Sequence, residues 1–97
     1  MRFEWDEAKR ISNLERHALD FRDAWRVFSL PILVAIDDRE EYGEDRWFGI
    51  GFLDPIVVAI AFSQPGDDTI RVISMRKALT REREQYEQHL RNELGPA

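Results

Sequence analysis

Residues 46–77 read RWFGIGFLDPIVVAIAFSQPGDDTIRVISMRK, and this stretch decides the fold. It holds three apolar runs of strand length, Arg46 to Leu53, Ile56 to Ser63 and Thr69 to Arg76. Two turn signals, Asp54-Pro55 and Gln64-Pro65-Gly66-Asp67, separate them. Connections this short make successive strands antiparallel neighbours. In the middle run bulky Ile56, Val58, Ile60 and Phe62 alternate with smaller Val57, Ala59 and Ala61, which suits a central strand. Gly49 and Gly51 are two apart and share a face, where missing side chains permit close approach of another element or a bulge.

Outward from this block, Ile32 to Asp37 supplies a fourth strand, with the acidic stretch around Tyr42-Gly43 as its turn. Upstream, Glu7 to Ala18 reads as a helix that Asp6 can cap. At about 100° per residue, Ala8, Ile11, Leu14 and Ala18 form one face, expected to be buried. Asp6, Lys9, Asn13, Arg16 and His17 gather on the opposite face, expected to be exposed. Asp20 can cap a second short helix, Phe21 to Ser29, which Leu30-Pro31 ends because the residue before proline is pushed out of helical geometry. Downstream, Arg81 to Leu94 forms a last helix, with Thr80 as N-cap and Gly95-Pro96 as stop. Its apolar stripe, Tyr86, Leu90 and Leu94, is thin. The expected fold is α+β: two N-terminal helices, a four-stranded antiparallel meander and a C-terminal helix. Phe3 to Trp5 offers a short additional edge strand.

A chain of 97 residues makes one domain, 1–97. It has no cysteine, which excludes a disulfide framework, a thiolate metal site and a cysteine nucleophile. No apolar run approaches the ~18 residues of a membrane span. The N-terminus carries charge where a signal peptide is apolar, so a cytoplasmic protein is expected. The net charge of −5 argues against nucleic-acid binding. That charge is unevenly placed, however: residues 37–46 hold six acids and two arginines, whereas Ile70 to Lys77 carries Arg71, Arg76 and Lys77 with no acid.

Histidine is the side-chain type suited to general acid or base chemistry, which makes His17, with Arg16 and Lys9 near it, a candidate. The same position also fits a solvated histidine stabilised by the helix dipole. His89 reads as solvated, and two histidines so far apart make no metal motif, so no metal or other cofactor is expected. Regular alternation sends Arg71 and Lys77 to one face of their strand and Arg76 to the other, and a bulge or the strand's end near Met75 would have to re-aim one of them. Tyr86 fits the core as well as a site.

Three ordered blocks then carry a resemblance. Phe3-Glu4-Trp5-Asp6, Lys9, Asn13, His17, Phe21, Ala24 and Val27-Phe28 form the first. Asp38-Arg39, Tyr42-Gly43-Glu44, Arg46, Gly49 and Gly51 form the second. Ile70-Arg71-Val72-Ile73-Ser74, Arg76-Lys77-Ala78, Arg81-Glu82 and Tyr86 form the third. Together they resemble the BrnT toxins of the BrnT/BrnA type II toxin–antitoxin systems. The resemblance implies a RelE-like fold and a metal-independent endoribonuclease in which a ribose 2′-hydroxyl attacks the adjacent phosphate. It implies His17, Lys9, Arg71, Arg76, Glu44 and Tyr86 as catalytic residues, with Arg16 and Lys77 binding RNA. It also implies a ribbon–helix–helix antitoxin in a 2:2 complex, with operator DNA reached only through that antitoxin. A non-enzymatic module that binds the antitoxin and modulates operator binding is the alternative.

Overall fold

The computed structural model describes residues 1–37 and 45–95. In chain order these form β1 (Arg2–Glu4), α1 (Glu7–His17), a 3-10 turn (Phe21–Asp23), α2 (Ala24–Phe28), β2 (Ile32–Ile36), β3 (Trp47–Leu53), β4 (Ile56–Gly66), β5 (Thr69–Lys77) and α3 (Thr80–Leu94). The strands make one five-stranded sheet in the order β1-β5-β4-β3-β2. The expected antiparallel meander is present as β2 to β5, and the sheet is extended by β1, which pairs with β5 in parallel. The short edge strand offered by Phe3 to Trp5 is thus present, one residue earlier, and its parallel pairing makes the sheet mixed, which corrects the expectation of four antiparallel strands. A parallel neighbour 67 positions away in sequence leaves no local turn signal to read.

Paired residues share a sheet face, so the register sorts the side chains. Val58, Ile60 and Phe62 of β4 lie on one face, with Ile70, Val72 and Met75 of β5 and Phe21, Ala24 and Val27 of the helical segment above them. This is the core. Gly51 pairs with Val58 on that face, and a Cβ there would stand 2.7 Å from Val27 Cγ1, so its bare backbone is what lets α2 settle on β3. A Cβ on Gly49 would meet the far end of Ile32, at 2.8 Å from Cδ1, and Ile60 Cγ2 at 3.2 Å. The second expected helix is split into the 3-10 turn and a single short α-helix, with Asp20 accepting from Arg22 N at 2.9 Å as its cap.

The face of α1 is the reverse of the expected one. Asn13 is the buried residue, 8% exposed, whereas Ile11 is 46% exposed and Leu14, Ala8 and Ala18 also face solvent. Among the described residues, the outer edge of β5 beyond Arg71 has no strand beside it, so its backbone N–H groups need another acceptor. Asn13 Oδ1 accepts from Met75 N at 3.1 Å, and Asn13 Nδ2 donates to Leu19 O at 3.1 Å. A leucine there would leave both backbone groups without partners. The chain reaches that geometry because Ala18 adopts a left-handed conformation (φ 57°), and its N–H bonds Leu14 O at 2.9 Å as α1 ends.

At the other end of the sheet, α3 starts at Thr80, so the N-cap is Leu79 and not Thr80 as expected. The Glu82 carboxylate supplies the cap by accepting from Leu79 N at 2.8 Å.

Asn13→Ala should destabilise the fold by about 2 kcal/mol or more, because it orphans a buried donor and an acceptor. Ile11→Ser should change stability by no more than about 0.5 kcal/mol, as at other exposed positions. Urea melts of both variants compare the two. Gly51→Ala should cost about 1–3 kcal/mol, as overpacking does, since the branched Val27 side chain has no rotamer that clears the added methyl.

Candidate nucleic-acid interface

The register of β4 and β5 shifts between Ala61, which pairs with Ser74, and Phe62, which pairs with Val72. Ile73 is thus an extra residue, a bulge. It explains how Val72 and Met75, three apart, both enter the core. It also places Arg71 and Arg76, five apart, on one face, the face opposite the core, while Lys77 shares the side of Met75. The bulge re-aims the arginines as a single change of parity must.

Each arginine is held by a carboxylate. Arg71 Nε and Nη2 donate to Glu4 Oε2 at 3.0 and 2.9 Å, across the β1–β5 pairing. Arg76 Nη1 and Nη2 donate to Glu82 Oε1 and Oε2 at 2.8 and 3.0 Å, and the guanidinium lies 5.5 Å from the Phe48 ring centre. Glu82 is buried, and Arg76 beside it holds its carboxyl below the usual range. Arg81 lies one residue away at the start of α3, exposed on the rim of a cleft of about 470 Å³ floored by Leu33, Ala35, Phe48 and Ile50. A second cleft of about 260 Å³ adjoins it, bordered by Arg76, Arg81 and Asp37.

On the helix wheel, Lys9 and Arg16 fall on one side of Asn13, and Arg10 and His17 on the other. Arg10 reaches Asp20 at 3.2 Å beside the 3-10 turn, in the layer that covers the core. Lys9 and Arg16 therefore lie toward the face that carries Arg71 and Arg76. His17 is exposed one turn beyond the Asn13–Met75 bond, on the side that Lys77 shares. The outer edge of β5 thus divides the basic groups into two sets: Lys9, Arg16, Arg71 and Arg76 on one side, His17 and Lys77 on the other.

One expected site residue, Tyr86, stands apart from this edge, and another, Glu44, is not among the described residues. Tyr86 is buried, its hydroxyl donating to Pro31 O at 2.7 Å where α3 crosses the start of β2, and burial pushes its phenol up. The Tyr42-Gly43 turn lies outside the described residues as well. Sequence reasoning counted Glu4, Arg81 and Glu82 among the residues of the resemblance but gave them no site role; they are the groups that rim the cleft and orient the arginines. The six-residue step from Arg76 to Glu82 carries no signal until α3 folds back over the sheet.

The family described as the ribonuclease toxin BrnT of the type II toxin–antitoxin system matches residues 5–82. The chain belongs to the BrnT toxin family. The crystal structure of the Brucella abortus ribonuclease toxin BrnT is similar to it, at 33% identity and a TM-score of 0.64, over 82% of this chain and 99% of that one. No curated protein matches it. The matched BrnT region spans α1, the meander, the Ile73 bulge and the Arg76–Glu82 pair, and it ends before Tyr86 and His89. As a BrnT toxin the chain is a ribonuclease toxin with an antitoxin as partner. Among the described residues, no helix is long and apolar enough to cross a membrane.

The layer behind α1 is acid-sensitive. Hydrogen bonding to the Arg22 guanidinium, helped by Arg22 N–H and by Arg10, pulls the Asp20 carboxyl from 3.8 to about 2. A carboxyl more acidic folded than unfolded contributes stability above its unfolded value and loses it as pH falls toward the folded one. Stability should therefore drop between about pH 4 and pH 2. Asp20→Asn should lower the melting temperature at pH 7 and flatten that acid limb, as thermal melts across pH would show.

Proposed function

We propose that the chain is a metal-independent endoribonuclease, acting in the cytoplasm as a single RelE-like toxin domain, that cleaves RNA draped over the outer edge of β5. The observation that carries this reading is the bulge at Ile73. It turns Arg71 and Arg76 to one face, toward Lys9 and Arg16, while Asn13 seats His17 one turn further along the same edge. The four cations bind successive phosphates, and arginine suits that task because its planar fork matches the phosphate oxygens. His17, exposed at the end of α1, takes the proton from the ribose 2′-hydroxyl. The 2′-oxygen then bonds to phosphorus, and Lys77 on the same side stabilises the charge that develops on the phosphoryl oxygens. The bond to the 5′-oxygen breaks, and that oxygen takes a proton from solvent water and leaves as a hydroxyl, while His17 returns its proton to solvent. The cognate antitoxin, a ribbon–helix–helix protein in a 2:2 complex, holds this chemistry in check and alone contacts operator DNA.

The test is the purified chain incubated with RNA in excess chelator, with the product ends mapped. Cleavage leaving 2′,3′-cyclic phosphate and 5′-hydroxyl ends is expected. Intact RNA, from a chain that still binds its antitoxin, would favour a non-enzymatic module. His17→Ala should abolish cleavage and leave the melting temperature within about 2 °C, since an exposed polar residue contributes little packing. Lys9→Ala and Arg16→Ala should each weaken RNA binding and lower the slope of log affinity against log salt by about 0.7, the value of one phosphate contact on a single strand.

A further inference from the structure

The edge of the sheet opposite β1 is β2, Ile-Leu-Val-Ala-Ile over residues 32–36, with no charge and no proline within it. Natural edge strands are guarded by lysine, proline, bulges or a covering element, because an open row of backbone donors and acceptors templates strand addition. Among the described residues, the register shows which groups stand open. Asp37 N donates to Arg46 O at 2.8 Å, so Asp37 and its alternates Ala35 and Leu33 turn their backbone groups inward to β3. Ile32, Val34 and Ile36 consequently turn their N–H and C=O groups outward. Their side chains share the core face, but α2 does not reach the far end of the strand: Val34 is 40% exposed and Ile36 65%. On the opposite face Leu33 and Ala35 floor the cleft rimmed by Arg81.

We infer that β2 is the docking strand for the antitoxin, which adds an extended segment to this edge of the sheet. The inference rests on the toxin reading above and adds to it the surface and the chemistry of the partner segment. An added strand alternates its side chains between the two faces. On one face they lie beside Val34 and Ile36, and these positions are apolar. On the other they lie over the cleft beside Arg81, and these positions are acidic. Main-chain hydrogen bonds supply affinity in this mode of recognition and the alternating side chains supply specificity. The cleft also borders Arg76, so an occupant of β2 sits next to the basic face that meets RNA.

Hydrogen exchange on the full chain, free and in complex with its co-expressed antitoxin, tests the assignment directly. The amides of Val34 and Ile36 should exchange freely in the free chain and become protected in the complex. The double variant Val34→Lys/Ile36→Lys should weaken the complex at least tenfold while still cleaving RNA, which also reports that it folds. Arg81→Glu, which reverses the charge over the cleft, should weaken the complex as well. A complex of unchanged affinity with both amides unprotected would overturn the docking site and leave the toxin reading standing. Protection that rises with concentration in the free chain would give the edge to a second copy and overturn the proposal. A chain that cuts no RNA and retains no antitoxin would remove the toxin reading and the docking site together.

Discussion

The hydrogen bond from Met75 N to Asn13 Oδ1 is the contact on which the arrangement of this protein turns. A sheet whose first strand is only three residues long leaves most of its neighbour's edge without a partner. The fold closes that edge with a helix and not with a strand, and a helix has no backbone donors or acceptors to spare along its length. A side-chain amide can take both roles, so Asn13 accepts from β5 and donates to Leu19 at the same time. Everything proposed for RNA hangs on this contact: it sets the height of α1 along β5, and with it the positions of Lys9, Arg16 and His17.

The charge arrangement follows a second logic. A chain with a net charge of −5 presents a basic face by using some of its acids as struts. Glu4 and Glu82 each grip one arginine at two donor nitrogens, fixing the plane of the guanidinium. Both arginines stay partly exposed while their partners bind from the side. Glu82 also caps α3, so one buried carboxylate ties together the end of β5 and the start of the last helix. Replacing it would disturb a helix start and a phosphate-binding candidate at once.

What the sequence revealed and what it hid divide along physical lines. The strands β2 to β5 were legible because β-branched runs and Pro/Gly turns are local properties, and their limits fall within a few residues of the expected ones. The face of α1 was misread because periodicity reports where apolar residues lie, not what the neighbouring surface needs. Ile11 and Leu14 form a convincing apolar stripe, yet the partner offered an open backbone edge, and an asparagine satisfied it. One sign was present: asparagine is a poor residue for a helix interior and stays there when its side chain has work elsewhere. The Ile73 bulge was legible only as a condition for aiming the arginines together. Of the candidate site, His17, Lys9, Arg16 and the basic strand stand along one edge, whereas Tyr86 serves packing. Arg81 and the Glu82 strut emerge only when α3 folds back across the sheet, and the Glu4 strut only when β1 pairs with β5.

The pairing of β1 with β5 has a consequence for how the molecule is made. Residues near the start of the chain are ordered by residues near its end: Glu4 by Arg71, and Asn13 by Met75. Contacts of such wide sequence separation form late, because the intervening loop must be closed before they return any stabilisation. On the ribosome, α1 emerges first but has no seat until β5 has followed it out, at about 5–20 residues per second. For those seconds the segment that bears His17 is already synthesised but not yet positioned, so a nascent toxin lacks the edge proposed to meet RNA. β2 and β3, a local hairpin, are complete earlier in synthesis than that edge.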